Sequence, residues 1–278
     1  MMEFLDFSSR QRSRSLGTVF PSWKRGESVA FFAPHDDDVP LGAGYLLRAA
    51  IRRGGRPVVV IFCRGDAGFS TADAGRTIVA ARKREAVQAY GKLGVPEEKL
   101  IFLGVPDFTL MSTVSRGRGS KPELFDRLVA FLRRERISRI VTTSPHFENW
   151  DHTAAFYHAV YTSSQAGDPV LADLGPPSSV RTILAYSVWS DFGPGPGEAS
   201  PAADKGILAS KEDERTVREA LRAFRSQAAI MERTAAVDRR RRRMDDGYLE
   251  LYRTVEVRRP VDYAKYAALL KTFRRNKD

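Results

Sequence analysis

Val29-Ala30-Phe31-Phe32-Ala33-Pro34-His35-Asp36-Asp37-Asp38 holds the key to the fold. Five apolar residues in succession are the pattern of a strand buried on both faces, as in the middle of a parallel sheet, and Pro34 ends it. Downstream, residues 41–53 read as a helix with Leu46, Leu47 and Ala50 on one side and Gly54-Gly55 as its stop. A second apolar run at 58–62 completes a strand-helix-strand unit.

The alternation continues. Residues 63–77, with glycines at 65, 68 and 75, read as a loop, followed by a helix over 78–93 that Gly94 ends. A strand at 100–103, a helix at 122–135, a strand at 137–142, a helix from 152 to about 162 and a strand at 182–188 follow. Residues 190–204, rich in Gly, Pro and Ser, read as a long loop. One amphipathic helix over 211–233 and a last one over 263–274 close the chain.

The expected fold is therefore α/β, a Rossmann-like, mainly parallel sheet with helices on both faces. The reading is one domain over 28–278, with an N-terminal extension at 1–27 and a C-terminal helical extension packed on the core. Ligands of such sheets bind where the strands' C-terminal ends open, so the loops after Ala33, Phe62, Leu103 and Thr143 should share one mouth.

Two of those loops carry chemistry. His35 to Asp38 place an imidazole and three carboxylates in four positions beside a buried strand, and a divalent cation is the simplest partner for that much charge. An acidic turn capping the next helix is the alternative. The second cluster is Ser144-Pro145-His146-Phe147-Glu148-Asn149-Trp150-Asp151-His152. Mixed His and carboxylate ligation is what a catalytic zinc site requires, with a nearby carboxylate to accept the proton of water; the residues alone do not choose between Asp36 and Asp37. His158 reads as a packed or surface histidine.

In this order the motifs resemble the LmbE/PIG-L-like N-deacetylases. His35-Asp36-Asp37-Asp38 is similar to their His-Pro-Asp-Asp signature, and Asp151-His152 to the end of His-x-Asp-His. Gly65-Asp66-Ala67-Gly68, Arg82-x-x-Glu85, Leu93-Gly94-Val95, Phe102-Leu103-Gly104-Val105-Pro106-Asp107 and Phe224-Arg225-Ser226-Gln227 extend the likeness over about residues 28–230. The resemblance implies Zn2+ bound by His35, Asp38 and His152, with Asp37 as general base and later acid. It also implies Asp151 and Asp36 standing behind the ligands, Arg82, Asp107 and Asp66 facing substrate, and an N-acylated amino sugar or glycoconjugate as that substrate. The chain departs from the pattern at Asp36, where Pro is usual, at Val39, where Glu is usual, and at Asn149, where a histidine commonly stabilises the oxyanion. Asn149 or His146 could supply that function.

Composition narrows the rivals. Lys and Arg total 45 against 34 acids, a net charge of +11, which suits nucleic acid or an anionic surface. Yet the densest run, Arg239 to Arg243, is flanked by Asp238 and Asp245-Asp246 and has no interleaved aromatics to stack on bases, so a solvated or salt-bridged face is expected and nucleic acid is disfavoured. No Gly-x-Ser-x-Gly elbow or phosphate-binding glycine motif occurs. A single cysteine, Cys63, offers no disulfide framework; with no signal-like start and no run of about 20 apolar residues, a cytoplasmic chain without a membrane span is expected, with a homo-oligomer left open. A family member of altered chemistry that only binds a sugar or acidic ligand is the alternative, and a basic surface binder the next.

Overall fold

The computed structural model describes residues 2–69, 75–115, 123–146, 148–190, 192, 203–258 and 261–273, and for 232–238 the backbone alone. Strands are β1 (Glu3–Asp6), β2 (Gln11–Ser13), β3 (Ser28–Ala33), β4 (Arg56–Cys63), β5 (Leu100–Val105), β6 (Ile137–Thr143), β7 (Thr182–Tyr186), β8 (Lys205–Ala209), β9 (Arg243–Met244) and β10 (Gly247–Val255). Helices are α1 (Asp38–Gly42), α2 (Gly44–Arg52), α3 (Ile78–Leu93), α4 (Leu124–Arg134), α5 (Trp150–Gly167), α6 (Lys211–Leu221), α7 (Ala228–Arg242) and α8 (Tyr263–Leu270).

The sheet runs β2-β1-β8-β10-β7-β6-β3-β4-β5. Pairings β7-β6, β6-β3, β3-β4 and β4-β5 are parallel, giving the Rossmann-like core. Both faces of β3 are buried. Val29 and Phe31 pack with Leu46 and Leu47 of α2 and Tyr90 of α3, whereas Ala30 and Phe32 pack with Leu128 and Leu132 of α4 and Ala155 of α5.

Three expectations need correction. The C-terminal extension is not simply helical: β8 and β10 extend the sheet with antiparallel pairings, and the N-terminal β1 pairs antiparallel with β8. The helix expected over 41–53 is two, broken at Ala43 (φ −141°, ψ 23°), because the buried Glu250 carboxylate of β10 accepts the backbone N–H groups of Tyr45 (3.1 Å) and Leu46 (3.1 Å) and so caps α2. The helix expected over 211–233 is likewise two, α6 and α7. Between them a tight turn at Arg225–Gln227 is held by Glu85, whose carboxylate accepts the backbone N–H (2.9 Å) and the hydroxyl (2.7 Å) of Ser226.

Arg239 and Arg242 of the basic run make ion pairs, with Glu214 at 3.3 Å and Glu250 at 3.4 Å. Among the described residues no helix is long and apolar enough to cross a membrane. The long loop expected over 190–204 lies almost entirely outside the described residues.

Candidate metal and catalytic site

From β3 the chain steps one way to β4 and β5, then returns across the sheet to β6 and β7. The sheet's direction of winding therefore reverses between β3 and β6, and the crevice of such a fold opens at that point. The two His-carboxylate loops leave these two adjacent strands.

Their side chains meet. The rings of His35 and His152 lie 5.5 Å apart, with Asp38 between them: its Oδ2 is 3.4 Å from Nδ1 of His35 and its Oδ1 is 3.2 Å from Nε2 of His152. Asp38 Oδ2 also accepts the backbone N–H of His35 at 2.7 Å, which fixes the carboxylate against its own loop. One ligand atom from each of the three residues lies within 4.8 Å of the others. Tetrahedral zinc with bonds of about 2.0–2.1 Å spaces its ligand atoms roughly 3.3 Å apart, so this donor set fits zinc in both type and spacing.

Each imidazole keeps its second nitrogen on a carboxylate, as metal-binding histidines do. His35 Nε2 is 3.4 Å from Asp151 Oδ2, while Asp151 also accepts the backbone N–H groups of Phe108 (2.7 Å) and Leu110 (3.2 Å). His152 donates from Nδ1 to Glu148 Oε2 at 2.9 Å. No role for Glu148 is legible in the sequence of the second cluster. Its buried Oε1 accepts the backbone N–H groups of Val188, Trp189 and Ser190 at 3.0, 3.1 and 3.2 Å, partners supplied by a turn 40 residues away that no local pattern reveals.

Electrostatics follow from crowding. Burial would raise Asp38, but His152 and then His35 outweigh it and hold the carboxyl well below its usual range. Burial lowers His152, yet Asp38 and Glu148 bring it up to about 9. Asp37 is pushed up to about 6, by burial first; Arg82 opposes the rise, and Asp36 and Asp38 add to it. Asp36, Asp37, Asp38, Glu148 and Asp151 thus face two imidazoles and one guanidinium, an excess of negative charge that a cation relieves. A second candidate set, His35, Cys63 and Asp151, is less suited to a metal because burial and the nearby Asp151 push the Cys63 thiol up, away from the thiolate that binds metals.

Arg82, expected to face substrate, is only 4% exposed. Its Nε donates to Asp36 at 3.0 Å and its Nη2 contacts the same carboxylate and lies 3.5 Å from Asp37. The Gly65 to Gly68 motif wraps this side chain: a Cβ on Gly68 would lie 2.2 Å from Arg82 Nη1, and one on Gly65, at φ +74°, would lie 2.6 Å from Cδ. Asp66 and Asp107 tie the loops after β4 and β5 together. Asp107 accepts the N–H groups of Gly65 (2.8 Å) and Ala67 (2.9 Å), and Asp66 accepts that of Asp107 (2.8 Å).

Asn149 is the N-cap of α5, its Oδ1 accepting the Asp151 N–H at 2.8 Å, which leaves its Nδ2 as the group able to donate. His146 is absent from the metal-capable clusters of the described residues. It lines a cavity of about 1130 Å³ with Arg139, Arg181 and Arg253. His158 is packed in the core, its ring 5.5 Å from that of Phe62.

Residues 30–163 match the model of the PIG-L family, described as GlcNAc-PI de-N-acetylase. No curated protein matches the chain. Among solved structures, N,N'-diacetylchitobiose deacetylase from Pyrococcus horikoshii is similar over 87% of this chain and 87% of its own, with a TM-score of 0.68 and 20% identity. The 4-carboxy-2-hydroxymuconate hydratase from Pseudomonas putida is similar over 85% and 99%, with a TM-score of 0.64 and 17% identity. The zinc-inhibited form of teicoplanin deacetylase is similar over 82% and 97%, with a TM-score of 0.57 and 15% identity. At these identities the structural likeness is one of fold.

Proposed function

We propose that this chain, whose residues 30–163 match the PIG-L family model, is a zinc-dependent hydrolase removing the N-acetyl group from an amino sugar or glycoconjugate. The observation that carries this reading is the convergence of His35, Asp38 and His152 within 4.8 Å, with the Asp37 carboxylate in the same loop. Deacetylases of chitobiose and teicoplanin on the same fold support it.

When bound, zinc supplies a Lewis acid that makes hydroxide available near neutral pH and polarises a carbonyl. The protein's own groups do the rest. Asp37, at about 6, is ionised at neutral pH and can take the proton of the attacking water, yet basic enough to hold that proton and deliver it to the departing amine. Asp151 and Glu148 fix the two ring orientations. The Nδ2 of Asn149 is the donor offered to the developing oxyanion. Arg82 locks Asp36 and stands beside Asp37, which sets the position of the base.

Metal analysis joined to an acetate-release screen tests this. Purified protein should hold about one zinc and release acetate from N-acetylated sugars. His152→Ala should lose metal and turnover, whereas Asp37→Asn should keep the metal and lose turnover by on the order of 10²–10⁴-fold. Folded protein that takes up no metal, or metal-loaded protein that releases no acetate across the panel, overturns the proposal. The hydratase on this fold makes water addition the first chemistry to assay in the second case.

A further inference from the structure

The helix α8 (Tyr263–Leu270) is built to form and then left uncovered. Asp262 caps it, its carboxylate accepting the backbone N–H of Ala264 at 3.1 Å, and Lys265 is its only charged residue. A helix apolar on nearly all sides belongs in an interior. Yet none of its residues is buried: Tyr263, Tyr266, Leu269 and Leu270 are exposed by 51 to 76%, and Phe273 just beyond them by 62%. Tyr263, Tyr266 and Leu270, spaced by three and four residues, share one side of the helix. Eight residues of helix are marginal in water without packing. The body of this chain does not supply that packing, so the helix is completed by something outside it.

The charge around the helix identifies the partner. Residues 261–278 hold five cations, Lys265, Lys271, Arg274, Arg275 and Lys277, against Asp262 and Asp278, in a chain of net charge +11. Two copies of α8 packed on each other would bring both sets of cations together. The apolar hollow over Val217 and Phe224 offers no better seat in a second copy, since Arg218, Arg222 and Arg225 rim it. A nucleic acid would satisfy the cations and leave the leucines in water. An anionic bilayer satisfies both: its headgroups take the cations, and the boundary beneath them takes tyrosine rings and leucine side chains.

We propose that α8 is an interfacial anchor that seats this chain on an anionic lipid surface, with its tyrosine and leucine side chains entering the headgroup boundary and Lys271 and the arginines after it on the lipid phosphates and carboxylates. The lysine stems lie along the apolar boundary while their ammonium groups stay in water. Such a contact is reversible, because a short helix lying in the interface buries far less apolar surface than a spanning one. Nothing in it depends on the chemistry at His35, Asp38 and His152, so the anchor and the deacetylase stand or fall separately.

Full-length protein is mixed with vesicles of phosphatidylcholine alone and of phosphatidylcholine with phosphatidylserine, and the bound fraction is read by co-sedimentation. Binding should be tighter to the anionic vesicles by about tenfold or more and should weaken as salt is added. Leu270→Asp should lower it by on the order of tenfold, and Lys271→Gln by about fivefold. Both should leave the melting temperature unchanged, because both side chains stand in solvent. Val170→Asp, at an exposed apolar position elsewhere, should bind as the wild type does.

Equal binding to the two kinds of vesicle, binding to neither, or a Leu270→Asp variant that binds like the wild type overturns the anchor. So does a particle of twice the chain's mass in light scattering that Leu270→Asp halves in the absence of lipid, which gives the face to a second copy.

Discussion

Glu148 Oε2 accepts the Nδ1–H of His152 at 2.9 Å, and its other oxygen gathers the backbone N–H groups of residues 188–190. One buried carboxylate thereby joins an imidazole of the proposed metal site to the turn after β7. Glu148→Gln keeps an acceptor for the turn but removes the charge behind the ring. Zinc affinity, measured by competition with a chelator, should weaken about 10- to 100-fold with little change in unfolding midpoint. Glu148→Ala should weaken zinc equally and also destabilise the fold, since three backbone donors lose their partner.

Arg82 and Asp36 form an ion pair with both residues buried, 4% and 5% exposed. Removing one member strands the other's charge away from water, which costs about 3–5 kcal/mol. Arg82→Met should show that loss in a urea titration of the metal-free protein. Arg82→Lys should recover only part of it, because an ammonium cannot reproduce the planar fork that reaches Asp36 through Nε and Nη2.

Gly68 has no positive φ, so an alanine there costs nothing in backbone conformation. Its methyl would instead meet Arg82 Nη1 at 2.2 Å. The guanidinium is the end of a flexible side chain, but the buried pair with Asp36 pins it. Gly68→Ala should therefore cost about 1–3 kcal/mol in the wild type and much less in an Arg82→Met background. A double-mutant cycle measures this; additive effects would show that the glycine serves something other than Arg82.

What the sequence made legible follows from how locally each feature is encoded. Strand β3 is buried throughout and reads as an apolar run, and β6, though it carries Ser138 and Arg139, follows from the alternation of strand and helix signals, so both could be found, and with them the loops bearing His35, Asp38 and His152. Strand β10 was hidden because its alternation is inverted. Glu250 points inward, 1% exposed, while Leu251 points out at 37%, so a polarity pattern sees no buried face. The break between α6 and α7 depends on Glu85, which is 141 residues from Ser226, and helical periodicity runs straight through it. The burial of Arg82 is hidden for a related reason: the carboxylate it pairs with lies 46 residues away.

His158 links the core to acid stability. Thr113 Oγ1 donates to the Leu110 carbonyl at 2.7 Å, so at 2.9 Å it accepts from His158 Nε2, and the bare Nδ1 is buried without a partner. Burial lowers the ring to about 4, from an ordinary 6.5, because a proton on Nδ1 would bring an unpaired charge into the core. The unfolded chain binds that proton near pH 6.5 and the folded one only near 4. The neutral ring's contribution is thus fully present above about pH 6.5 and is lost as pH falls through that window, by on the order of 3 kcal/mol in total. His158→Phe, which retains a ring against Phe62, should remove this component. Wild type and variant unfolding curves, compared from pH 7.5 down to 4.5, should therefore converge or cross in the variant's favour as acid is added, and a constant difference across the range would place the charged ring in contact with water.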